Sequence, residues 1–163
     1  METLEPLIAY FKDEKIEALL ILLIGLATIT WSVYMWTVYR ESFHNGIAVP
    51  LLLFGFVQIS VGSVVYFRND YKVKRLIEQY ERQPEKMIGD EIKRAKTVIN
   101  NFSYYRSVEM LLTITGILLI QFSSSQFWAG LGTGLLGQSA IMIVFDVFAA
   151  RRTAIYLEYL QRL

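Results

Sequence analysis

Apolar and polar positions separate along this chain into long blocks. Four stretches are almost wholly apolar: "IEALLILLIGLATITWSVYMWTVY" (16–39), "GIAVPLLLFGFVQISVGSVVYF" (46–67), "VEMLLTITGILLIQFSSSQF" (108–127) and "WAGLGTGLLGQSAIMIVFDVFAA" (128–150). Each reaches about 20 residues or more, the length a helix needs to cross the hydrocarbon layer of a bilayer. The pattern predicts an all-α membrane protein with four transmembrane helices.

The polar blocks carry helical periodicity of their own. In "DYKVKRLIEQYER", Val73, Leu76, Ile77 and Tyr80 fall on one helix face. Pro84 in "QPEK" then breaks the pattern. Beyond it, Ile88, Ile92, Ala95, Ile99 and Phe102 step by alternating fours and threes, a heptad-like seam. Residues 70–107 are therefore expected to form a helical hairpin between the second and third spans, its second arm running on into the third. At the start, Leu4, Ile8 and Phe11 predict an amphipathic helix over 1–15 lying on the membrane surface. Residues 151–163 read as a polar tail.

Charge orients this plan. Of sixteen Lys and Arg residues, only Arg40 lies outside the N-terminal segment, the middle segment and the C-terminal tail. The positive-inside rule then puts both termini and the hairpin in the cytoplasm. Trp31, Tyr34, Trp36, Tyr39, Phe127 and Trp128 at one end, and Tyr66, Phe67, Tyr104 and Tyr105 at the other, suit two interfacial belts. The first residues are acidic and mixed in charge, unlike a cleaved signal peptide. Net charge is +1, which gives no ground for nucleic-acid binding, and the absence of cysteine removes thiolate chemistry and disulfides.

A faint internal repeat runs through the chain. "KIEALLILLIG" (15–25) parallels "SVEMLLTITG" (107–116), matching Glu17 with Glu109. A fixed offset of 80 pairs Gln58 with Gln138, Lys72 with Arg152 and Glu78 with Glu158. Both copies start on the same side, so such a repeat would be related by an axis along the membrane normal.

Candidate chemistry is sparse. His44 is the lone histidine and sits in the first outer loop. No catalytic triad order, phosphate loop or metal-ligand spacing is present, so no catalytic, metal or cofactor-binding residue is assigned. What remains is polar residues inside the spans: Asp146, Glu109, Gln58 and Gln138. Intramembrane ionisable groups mark either function or a structural pairing. Arg151 and Arg152 are out of helical phase with Asp146, so its partner is expected on another helix, with Arg68 and Arg106 at the right depth. Gly130, Gly134 and Gly137 form a small-residue stripe roughly opposite Asp146. The fourth helix should then have two contact faces, one internal and one for another subunit or partner.

The runs "RNDYKV…LIEQY…EIKR…NFSYYRSVE" and "FDVFAARR…YLEYL" resemble small uncharacterised four-span inner-membrane proteins of bacteria, some of which are immunity partners of toxins that attack that membrane. The resemblance implies a non-enzymatic protein of the bacterial inner membrane that binds a protein partner or forms a homo-oligomer, and brings no catalytic residues. The alternative expectation is a subunit of a small oligomeric channel or transporter.

Overall fold

In a computed structural model, residues 4–163 are described, and they are helical almost throughout. α1 spans Glu5–Tyr34 and continues into a π-helical turn, Met35–Tyr39. α2 spans Ser42–Arg82, α3 Pro84–Phe122 and α4 Gln126–Gln161. All four are long and apolar enough to cross a membrane. α2 has 41 residues, which at the helical rise makes about 60 Å, twice the hydrocarbon thickness. One half of each helix is apolar, the other charged, and the charged halves lie together at one end.

The turns follow local chemistry. Arg40 takes a left-handed conformation (φ 52) and closes the first helix. Gln83 and Pro84 separate α2 from α3, where a proline suits the first helical position. The turn between α3 and α4 falls at Ser123–Ser125, ahead of the boundary expected between 127 and 128; the Ser125 N–H donates to Ser123 Oγ at 3.1 Å.

α1 packs antiparallel on α2 and α3 on α4, while α2 and α4 run side by side in the same direction at the centre. Glycines set the close approaches. A Cβ on Gly46 would strike the Phe127 carbonyl, and one on Gly130 the Phe43 carbonyl, so α2 and α4 touch backbone to backbone at the uncharged end. Around this contact the large apolar side chains point outward: Leu53 is 61% exposed, Leu111 64% and Phe56 58%. In the most apolar windows only 11% to 28% of residues are buried. Small and polar groups inside with bulky apolar ones outside suit lipid, not water.

Three expectations are corrected at the charged end. The segment 1–15 is not a separate surface helix: its described residues are the first turns of α1, and Leu7, Tyr10 and Phe11 are buried. The second arm of 70–107 runs on into the third span as expected, but the two arms do not pack on each other, since α2 and α3 touch little. The tail 151–163 is the end of α4 as far as Gln161. The cause is common to all three. The seam residues Leu76 and Ala95 pack in one apolar cluster with Leu7, Phe11, Tyr156 and Leu160 from the two ends of the chain.

Candidate functional site

Polar side chains form a column inside the bundle. Nearest the uncharged end, Ser32 Oγ donates to the Ala48 carbonyl at 2.7 Å, both groups buried. Below it, Gln58 Nε2 donates to Gln138 Oε1 at 3.0 Å. These two residues match at the offset of 80, and they meet where α2 and α4 face each other. Thr28 Oγ1 lies 3.4 Å from Gln58 Oε1, and Gln138 Nε2 is buried with no partner.

Further toward the charged end, Glu109 and Asp146 lie close enough to act on each other electrostatically. Glu109 is 1% exposed, and neither of its oxygens has a hydrogen-bond partner among the described residues. Arg106 is close enough to act on both electrostatically but forms an ion pair with neither. The expected clasp between Asp146 and Arg68 is absent. At that level of α2 the buried position is Asn69, which turns Arg68 outward into exposure. Asp146 thus lies beside the other candidate acid rather than beside a cation.

Glu17 pairs with Arg152, joining α1 to α4, and Asn69 Nδ2 donates to Glu14 Oε2 at 3.0 Å. Glu14, Glu17, Asp146 and Arg152 line one cavity of about 210 Å³ with apolar walls from Ala18, Val61 and Phe145. Sequence reasoning singled out neither Glu17 nor its partner as a site residue. The signal was present in the match of Glu17 to Glu109.

The helix-contact stripe divides. Gly130 meets Phe43, and a Cβ on Gly134 would lie 2.5 Å from Pro50 Cγ. Gly137 faces open space, with nothing within 4 Å of its Cβ position. The contact on α2 follows Gly130, Gly134 and Gln138, every fourth residue, so Gly137 falls off it. A second glycine contact, Gly132 against the Gly116 carbonyl, joins α4 to α3.

Outside the apolar spans lies a second cluster. Glu91 is buried and accepts from Arg94 Nε at 2.8 and 3.0 Å and from Tyr156 Oη at 3.2 Å. The Arg94 guanidinium lies 5.4 Å from the Phe11 ring centre and 5.7 Å from that of Tyr10. Tyr10 stacks on Tyr156 at 4.1 Å. Burial works to lower the Arg94 pKa, and the hydrogen bonds and charge of Glu91 outweigh it, leaving it raised. Burial, with the Glu91 charge adding to it, pushes the Tyr156 phenol up. Lys72, over the Phe11 ring at 4.8 Å, is pulled down to about 8 by burial and then by the Arg94 charge. This cluster locks the two ends of the chain into the charged half. His44 sits in the first turn of α2, 3.1 Å from Glu41 and stacked on Tyr39.

Comparison with protein-family models, with curated proteins and with solved structures finds no match for this chain.

Proposed function

We propose that this chain is a non-enzymatic membrane protein that acts by binding a protein partner inside the bilayer, with immunity to a membrane-targeting toxin as its specific form. Its home in this reading is the bacterial inner membrane, with both termini and the charged ends of the helices in the cytoplasm. The observation that carries the reading is the outward face of α4. Thr133, Gly137 and Ala140 are exposed there, among neighbours that are otherwise bulky. Small residues give lipid little to hold and allow another helix to approach closely.

The test is a photoreactive amino acid placed at position 137 in cells. A crosslink to a second protein is expected, while the same group at position 135, where Leu135 lies against Gly116 of α3, should crosslink within the chain. Product mass separates a foreign partner from a second copy. Protection is scored beside it, by co-expressing a membrane-acting toxin encoded next to this gene. No crosslink from 137 would sink the docking face, and no protection would sink immunity.

The column of buried polar groups favours a second reading, a channel or transporter subunit. Backbone contact between α2 and α4 at the uncharged end leaves no room for a path through one copy. Conduction would have to run between copies, and ion flux in proteoliposomes measures it.

A further inference from the structure

We infer that the groove between α1 and α4 is a binding site for one phospholipid carrying an ethanolamine headgroup, in the leaflet at the charged end of the bundle. Where α1 and α4 diverge, two hollows of about 370 and 220 Å³ share Asp13, Phe148 and Arg152 and so form one continuous groove. Its chemistry changes along its length. One end holds Arg151 with the ring of Tyr159, Asp13 lies where the two hollows meet, and the other end runs onto Ile16, Leu20 and Phe145. Ile16 is 51% exposed and Phe148 63%, so the apolar end opens to the surface of the spans. Charge passing into hydrocarbon is also the order of headgroup and acyl chains in a phospholipid.

The charges select the headgroup. Arg152 is already held by Glu17. Asp13 and Arg151 line the groove, are exposed, and are joined by no ion pair or hydrogen bond to each other or to any other described residue. One free cation and one free anion fit a headgroup with both charges: phosphate to the Arg151 guanidinium, ammonium to the Asp13 carboxylate. A headgroup with phosphate alone would leave Asp13 facing it. The matching positions on α2 provide a contrast within the chain. At the offset of 80, Phe148 corresponds to Arg68, Ile155 to Arg75 and Arg151 to Tyr71, so that side lacks the charged-to-apolar order.

Native mass spectrometry of the full chain in detergent, titrated with phosphatidylethanolamine, phosphatidylglycerol and phosphatidylcholine of equal acyl chains, tests the site. Ethanolamine lipid is expected to bind tightest, because its ammonium donates hydrogen bonds that choline lacks. Arg151→Gln should weaken it by about tenfold, the loss of one charge-assisted contact. Asp13→Asn should remove its advantage over the glycerol lipid. Arg75→Gln, on the contrasting side, should change nothing. Melting curves run alongside, and both groove variants should melt as the parent does, since neither side chain has a partner. Equal binding of the three lipids, or binding indifferent to both groove substitutions, overturns the site. So would a groove variant that melts early.

Discussion

At the residue scale, the contact between Glu109 and Asp146 yields the sharpest consequence. Asp146→Leu puts an apolar side chain beside the buried Glu109 carboxyl, which has no hydrogen-bond partner among the described residues, and a buried polar group left without a partner costs about 1–3 kcal/mol. Asp146→Asn places an amide donor there and should cost less. Thermal unfolding in detergent gives both values, and equal stability of the Leu and Asn variants would dismiss the pairing. Helix phase made half of this legible in the sequence: Asp146 faces a neighbour and not its own arginines. The other half was hidden, because a search for a partner to an acid looks for a cation, and two acids lying side by side read as two separate sites. Lys72 gives a consequence in pH. Its folded pKa, about 8, lies below the unfolded value of 10.5. Between the two, the unfolded chain binds more protons, so stability rises as pH climbs from 8 toward 10. Above 10 the buried Tyr156 phenol, raised in the folded state, turns the slope down. The melting midpoint followed from pH 7 to 10 should rise, and Lys72→Met should flatten the rise.

Among the elements, α4 separates packing from display. Gly130→Ala forces a methyl into the Phe43 backbone and should cost about 1–3 kcal/mol. Gly137→Ala meets nothing and should stabilise the helix by up to about 1 kcal/mol through propensity. Melting curves of the two variants settle the contrast, and equal effects would contradict the register of α4 on α2. The stripe was legible as small residues on one face. Which glycines touch was not, because a seven-residue step and an eight-residue step part company only once the crossing of two helices is known. The start of α1 misled for a related reason. Leu7 and Phe11 have the periodicity of a surface helix, and the same stripe serves equally to bury a helix in a bundle. Only the length of the other helices, which run on past the bilayer thickness, supplies the surface that covers it.

For the whole molecule, the order of spans and the division into an apolar and a charged half were written in the hydropathy and in the placement of Lys and Arg. The closed core of the charged half was not, since it joins Tyr10 to Thr153 and Glu91 to Tyr156 across most of the chain. The proposed orientation of this asymmetric molecule rests on the energetics of charge. Fifteen basic residues lie at or beyond one end of the spans, and the cluster around Arg94 and Glu91 forms a folded polar body there. Moving that body across a bilayer would expose many charges to hydrocarbon, whereas the turns at Arg40–Glu41 and Ser123–Ser125 are short. The chain has no cysteine, so single substitutions report without background. In intact bacterial cells a thiol reagent that does not cross the inner membrane should label Ser124→Cys and leave Gln83→Cys unlabelled until the membrane is opened. Both positions sit in exposed turns, so neither label depends on unfolding the bundle. Labelling of Gln83→Cys in intact cells would invert the orientation, and with it the side from which any partner of the charged half must come.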